Sequence, residues 1–306
     1  MEAASSEHVG PSHSSDSAWN ERFIVANGLR FHIAEAGPEN APLVILLHGF
    51  PEFCYSWRFQ LLGLADHCHV VAPDLRGYNL SDKPTSGYDI VTLTEDLRSA
   101  ILELTASGPA DQRVADVVGH DWGGILVWAL AIRAPDVVRR LAILNAPHPG
   151  TFSRELLHPR QWLHSSYIAF FQFRGVAERA IARDDFAMVR RTLRSADRER
   201  AWLADVDIQR FVDAIAVPGA LHAALEYYRQ LPRLVPLLSP LRIVVAPTLV
   251  LWGELDAYLG VNFLDGLDRW VSDLRIERFP TAGHWVNQQE PARVNALLDA
   301  FFSPVA

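Results

Sequence analysis

An aspartate stands between two glycines in Gly119-His120-Asp121-Trp122-Gly123. The flanking segments read as a strand and a helix: Val114 to Val118 is an apolar, β-branched run, and Ile125 to Ile132 is apolar enough for a buried helix. A Gly-x-nucleophile-x-Gly turn between such elements lifts one side chain clear of the sheet, and its glycines permit the tight backbone this needs. Serine in that place requires a base to remove its proton. A carboxylate is already ionised at neutral pH and attacks directly, forming an alkyl ester rather than an acyl intermediate. That chemistry suits an sp3 carbon bearing a leaving group, in a strained C–O ring or a carbon–halogen bond. The competing reading of Asp121 is a helix N-cap, a common use of aspartate. The two glycines and the preceding apolar strand favour the nucleophile.

The chain around this turn has ordinary globular composition. Its 306 residues are 49% hydrophobic and 21% charged, enough for one large domain or two smaller ones with a substantial core. A formal net charge of −8, with no dense Lys/Arg block, argues against a nucleic-acid surface. The cysteines, Cys54 and Cys68, lack metal-site or redox spacing and read as free thiols in a reducing compartment. No apolar run approaches membrane-spanning length, and no charged-then-apolar signal pattern opens the sequence. A cytoplasmic protein without membrane partners is expected.

The elements that must position Asp121 follow from periodicity. Residues 1–18 are rich in Ser, Glu, His and Gly and are expected to be a disordered tail. Two alternating runs flank Asn27-Gly28, a hairpin signal. Leu43 to Leu47 and His69 to Pro73 read as buried strands, Tyr88 to Thr105 as a helix capped by Asp89 or Thr92, and Arg140 to Leu144 as a further strand. From Pro149 to Pro240 the alternation gives way to a helical, aromatic-rich stretch. It then resumes with strands at Thr248 to Trp252 and Leu274 to Phe279 and helices at Val261 to Val271 and Glu290 to Phe302. Such alternation predicts a doubly covered parallel sheet formed by 19–148 and 241–306, with 149–240 as a helical cap over the strand carboxyl ends.

His48-Gly49-Phe50-Pro51, Asp74-x-Arg76-Gly77-Tyr78-x-x-Ser81, the Asp121 turn and Gly283-His284-Trp285 stand in the order and spacing of one family. The chain resembles the epoxide hydrolases of the α/β-hydrolase fold, over Phe23 to Phe302 and including the helical insert. The resemblance implies that fold: a mostly parallel, doubly wound sheet with an inserted cap. It also implies the roles. Asp121 is the nucleophile. His284, on the loop after the last strand, activates the water that hydrolyses the aspartyl ester. The acid orienting it comes from Trp252-Gly253-Glu254-Leu255-Asp256, where the family pattern selects Asp256 and leaves Glu254 as a loop charge. The backbone N–H groups of Phe50 and Trp122 form an oxyanion hole. Two cap tyrosines donate to the epoxide oxygen. Tyr167 holds the first place and Tyr228 the second, with Tyr227 as its competitor. Tyrosines in an aromatic helical stretch often pack with a satisfied hydroxyl, which is the bland alternative for each.

Of the twelve histidines, His48 and His120 are expected to brace the loops beside Asp121. The rest show no metal spacing, so neither metal nor cofactor is expected. Trp57, Phe170, Phe171 and Trp285 are assigned to an apolar pocket wall. The expected reaction converts a small apolar epoxide into a vicinal diol through an ester on Asp121, and homodimerisation is compatible with it. The nearest rival is a haloalkane or haloacid dehalogenase using the same nucleophile. Haloalkane dehalogenases commonly carry asparagine after His-Gly, where this chain has Phe50, and fluoroacetate dehalogenases an arginine after the nucleophile, where it has Trp122. A rival of another class is a silent α/β-hydrolase fold serving as a ligand receptor, which fold alone never excludes.

Overall fold

The computed structural model describes residues 18–109, 113–155, 166–195, 202–238 and 242–303. All of the expected N-terminal tail except Ala18 lies outside them. Asn27 and Gly28 take left-handed backbone, with φ of 47° and 74°, as a two-residue hairpin turn between right-twisted strands requires. They join β1 (Asn20–Ala26) to β2 (Leu29–Ala36). The strands β3 (Leu43–Leu47), β4 (His69–Pro73), β5 (Ala115–His120), β6 (Val138–Leu144), β7 (Thr248–Gly253) and β8 (Leu274–Phe279) complete one sheet. Its order is β1-β2-β4-β3-β5-β6-β7-β8. The β1–β2 and β2–β4 pairs are antiparallel and the other neighbours are parallel.

Every residue of β3, β4, β5 and β7 is buried, because both faces of the sheet are covered. Alternation along a strand then sends neighbours to opposite cores. Ile45, Leu47 and Val117 join one apolar cluster, while Val44, Leu46 and Val118 join the other. The covering elements include α1 (Arg58–Gly63), α2 (Ile90–Leu104) and α3 (Trp122–Arg133). Asp89 caps α2 by accepting from the N–H groups of Val91 and Thr92, each at 3.1 Å, so of the two expected caps it is Asp89 that serves. After β8 come α9 (Val286–Gln289) and α10 (Pro291–Phe302).

Between β6 and β7 the described residues form helices and no strand: α4 (Pro149–Glu155), α5 (Ser166–Phe171), α6 (Val176–Ser195), α7 (Asp205–Ala216) and α8 (Ala220–Leu238). One expected helix is absent. Val261 to Val271 forms two short 3-10 turns, Val261–Leu264 and Leu267–Arg269, because Asp265 is extended and Gly266 left-handed at φ 69°. The Asp265-Gly266 pair interrupts a run whose apolar spacing otherwise suits a helix.

Register places the functional loops together. Leu47 pairs with Gly119, His120 with Leu144, Leu144 with Leu251 and Gly253 with Phe279. The carboxyl ends of β3, β5, β6, β7 and β8 are therefore level, and the residues that follow each strand emerge side by side. In an open α/β sheet that edge is where ligands bind.

Candidate active site

Asp121 sits in the turn between β5 and α3 with φ 51° and ψ −119°, a backbone that non-glycine residues adopt only under constraint. The turn can be this tight because a Cβ on Gly123 would collide with the carbonyl of Leu47. Gly49 is required for a related reason, since a Cβ there would meet the Asp121 side chain. Although Asp121 occupies the N-cap position of α3, its carboxylate makes no capping bond. Its Oδ1 instead accepts from the N–H of Phe50 at 2.9 Å. The helix-cap reading is thus set aside by geometry, and the carboxylate faces a cavity.

His284, on the loop after β8, stands between two carboxylates. Its Nδ1 lies 2.7 Å from Oδ2 of Asp256 and its Nε2 3.6 Å from Oδ2 of Asp121. Asp256 is held from several sides. Its Oδ1 accepts from the N–H groups of Tyr258 (2.7 Å) and Leu259 (3.0 Å), and its Oδ2 accepts from Nδ2 of Asn145 at 2.7 Å. Glu254, the competing carboxylate, instead pairs with Arg278 at 2.6 Å. Burial disfavours charge on His284, but the Asp256 and Asp121 carboxylates outweigh it and push its pKa up to about 10. Burial likewise opposes the Asp121 charge, yet the nearby His284, and with it the N–H of Phe50, holds its carboxyl below the usual range.

Asn145 escaped the sequence reading, although it follows β6 at the same sheet edge. It takes left-handed backbone, φ 41°, which asparagine tolerates better than most residues. Its side chain donates to Gly253 O (3.1 Å) and accepts from Gly253 N (2.8 Å), so it pins the β7 carboxyl end while bonding Asp256. Glu52 escaped as well, despite standing next to the His48-Gly49-Phe50-Pro51 run. Fully buried, it accepts from Gly49 N (3.1 Å) and from Nε2 of Gln288 (2.8 Å), and lies 2.9 Å from Nδ1 of His120. The other nitrogen of His120 is 2.9 Å from the carbonyl oxygen of His284. His120 therefore ties the loop after β3 to the loop carrying His284. His48 bonds within its own loop, to Gly49 O at 2.9 Å, and accepts from Leu75 N at 3.1 Å.

A cavity of about 310 Å³ opens over Asp121 and His284, lined by residues of the sheet-edge loops and of α4, α5, α6 and α8. Tyr167, Tyr228, Phe170, Phe171 and Trp285 line it, with Phe50 and Trp122. Tyr228 packs edge-on against Phe171 (5.0 Å between ring centroids), Trp122 (5.2 Å), Phe50 (5.5 Å) and Tyr167 (5.8 Å). Arg229 fixes this part of α8 by donating to Phe171 O at 2.9 Å and Glu226 Oε1 at 2.8 Å. Burial, and then the nearby Asp121 charge, raises the pKa of both Tyr167 and Tyr228, so both phenols keep their protons at neutral pH.

Tyr227 and Tyr228 differ sharply. Adjacent helical residues point about 100° apart, and Tyr227 turns away from the cavity to donate to the carbonyl of Arg76 at 2.9 Å. Trp57 corrects the sequence reading. It is fully buried in the core cluster with Leu61, Val118 and Leu144, and is not among the residues lining the cavity. The chain after Pro51 turns down into the 3-10 turn Cys54–Trp57, which takes that indole into the sheet packing.

Among the described residues one buried group has potential metal-ligand atoms close together: His32, Cys54 and Asp74. Direct bonds already engage it. His32 Nδ1 lies 2.8 Å from Asp74 Oδ2, which also accepts from Asn79 Nδ2 at 2.8 Å, while Cys54 N donates to Asp74 Oδ1 at 2.9 Å. These contacts organise the Asp74-x-Arg76-Gly77 loop.

The family model for the alpha/beta hydrolase fold matches residues 42–291. The AB hydrolase superfamily protein YfhM of Bacillus subtilis is 38% identical over 281 residues, covering 90% of this chain and 96% of its own. Epoxide hydrolase 4 of Homo sapiens is 36% identical over 286 residues, covering 91% of this chain and 77% of its own. Among solved structures, the Bacillus megaterium epoxide hydrolase bound to an inhibitor superposes with a TM-score of 0.83 at 32% identity. That match covers 92% of this chain and 99% of the other.

Proposed function

The chain belongs to the α/β-hydrolase family, among its epoxide hydrolases, and we propose that it opens small apolar epoxides to vicinal diols through a covalent ester on Asp121. The observation that carries this reading is the meeting, in one largely apolar cavity, of the Asp121 carboxylate with the phenols of Tyr167 and Tyr228. A halide needs N–H donors, whereas a developing alkoxide needs an acid, and a protonated phenol is one.

In the first step the ionised Asp121 attacks a ring carbon. The C–O bond of the ring breaks, and Tyr167 and Tyr228 hold the leaving oxygen, one of them supplying its proton. Their positions on α5 and α8 support the reading of the 149–240 stretch as the cap of the reaction chamber. In the second step His284, oriented by Asp256, takes a proton from water, which attacks the carbonyl carbon of the ester. The oxyanion formed there is stabilised by the N–H of Phe50, which already donates to Asp121 in the resting site, and by that of Trp122. Breakdown of this intermediate breaks the ester C–O bond, the departing oxygen takes the proton held on His284, and the diol leaves with the Asp121 carboxylate restored. No step requires a cofactor. The two thiols, both free and buried, fit a cytoplasmic setting, and no helix among the described residues is long and apolar enough to cross a membrane.

The test is turnover of a panel of epoxides and haloalkanes, with diol and halide measured separately. Diol formation without halide release is the expected result. Halide release without diol would transfer the chain to the dehalogenases, and tight binding without turnover would favour a receptor.

A further inference from the structure

Pro232 stands inside α8, four residues after Tyr228. Proline has no N–H, so the carbonyl of Tyr228 is denied the partner that the helix would otherwise give it. Gln172, the first residue after α5, takes that place. Its Nε2 donates to Tyr228 O at 3.2 Å and to Ile168 O, within α5, at 3.0 Å.

A second bond runs the other way. Phe171 closes α5, and the last carbonyls of a helix find no N–H within it. The N–H of Gly175, four residues on, is committed to Glu178 Oε2 at 2.6 Å. Arg229, the neighbour of Tyr228, reaches across instead and donates from Nε to Phe171 O at 2.9 Å. Two carboxylates hold its buried guanidinium in place. Nη1 donates to Glu226 Oε1 at 2.8 Å, and Nη2 lies 2.9 Å from Glu178 Oε1. Glu226 is fixed in turn by Arg174, whose Nη2 donates to its Oε2 at 2.8 Å. The helices carrying Tyr167 and Tyr228 are therefore tied to each other twice, each time by a side chain of one bonding a carbonyl at the other.

The rings between the two helices cannot do this alone. Tyr167, Phe171 and Tyr228 meet edge-on with centroids 5.4, 5.0 and 5.8 Å apart. Such contacts are favourable anywhere from about 4.5 to 7 Å and leave the hydroxyl positions loose. Hydrogen bonds to backbone carbonyls confine distance and direction far more tightly. We propose that Gln172 and Arg229 are positioning residues, which set the spacing of the Tyr167 and Tyr228 phenols so that both reach one epoxide oxygen. The inference rests on the epoxide-hydrolase reading above. Neither residue is among those lining the cavity, so both act through the tyrosines.

The experiment measures, with styrene oxide in single turnovers, the rates at which the Asp121 ester forms and hydrolyses. Gln172→Met keeps the length of an exposed side chain and removes its donor. It should slow ester formation about tenfold and change ester hydrolysis by less than about twofold. Arg229→Met should act in the same direction, and where that variant does not fold, Gln172→Met decides. The effect should vanish where there is no phenol left to position: Tyr228→Phe combined with Gln172→Met should form the ester as fast as Tyr228→Phe alone. Unchanged ester formation in Gln172→Met overturns the clamp while the epoxide reading stands. So does a slowing that persists undiminished beside Tyr228→Phe, or that strikes both steps alike, since either means a general loosening of the helices. Wild-type protein that forms no diol from styrene oxide would overturn both.

Discussion

His284 Nε2 stops 3.6 Å from the Asp121 carboxylate, while its Nδ1 is bonded to Asp256 at 2.7 Å. The asymmetry matters because both carboxylates contribute to the raised pKa of the imidazole, about 10. In the resting site His284 is a cation and cannot act as a base. In the proposed mechanism, esterification removes the charge of Asp121, and with it part of the field that keeps His284 protonated. The imidazolium then gives its proton back to the phenolate left by the first step, so that completion of the first step supplies the base required for the second.

The same pKa carries a stability signature. A folded value of about 10 lies above the unfolded value of about 6.5. The stabilisation it supplies is therefore complete below the unfolded pKa and disappears as pH rises through the folded one. Scanning calorimetry between about pH 7 and 10 should show Tm of the wild type falling with pH, and His284→Gln should show a shallower fall. Parallel slopes would mean that His284 is not held protonated in the folded resting protein.

Removing the base should separate the half-reactions. In His284→Gln, Asp121 still attacks the epoxide, but hydrolysis of the ester slows by about 10²–10⁴-fold, the usual worth of a positioned general base. Intact-protein mass spectrometry after mixing with substrate should show the adduct accumulating at Asp121. Normal turnover by this variant, or bound substrate without any adduct, contradicts the role given to His284.

The two phenols should matter to the first step alone. Tyr167→Phe and Tyr228→Phe should each slow alkylation of Asp121 by about 10–100-fold, with the double variant nearly inactive. Tyr227→Phe should change that rate by less than about threefold, because its hydroxyl serves the Arg76 carbonyl. Its effect should be a Tm lower by about 2 °C from one buried hydrogen bond. Pre-steady-state alkylation rates decide the assignment. A large loss at Tyr227 with none at Tyr228 would reverse it.

Much of this arrangement was legible in the residues. His69–Pro73 and Leu274–Phe279 are apolar or alternating runs with clear ends, and the strands have those bounds. Asp121, Asp256 and His284 each follow a predicted strand, and a parallel sheet brings such positions to one edge. What sequence could not convey was direction. Tyr227 and Tyr228 are the same residue type one step apart on a helix, and only packing decides which faces the cavity. Trp57 lies close to Phe50 in sequence, yet the intervening turn sends it into the core beneath. Asn145 and Glu52 went unassigned because their roles are to hold other residues across long separations, Asn145 reaching Gly253 and Asp256 and Glu52 reaching His120 and Gln288. Local pattern carries no trace of such contacts. The break at Asp265-Gly266 was visible in composition but was outweighed by the apolar spacing around it.

The central claim is that Asp121 bonds covalently to the substrate, and one single-turnover experiment addresses it. Enzyme in excess is mixed with epoxide in heavy-oxygen water, and the diol and the peptide containing Asp121 are analysed by mass spectrometry. Water attacks the ester carbonyl in this account, so the heavy oxygen should enter the Asp121 carboxylate while the first diol released carries none. A diol labelled in that first turnover, with the Asp121 peptide unlabelled, would mean that water attacks the epoxide directly and that the covalent mechanism is wrong.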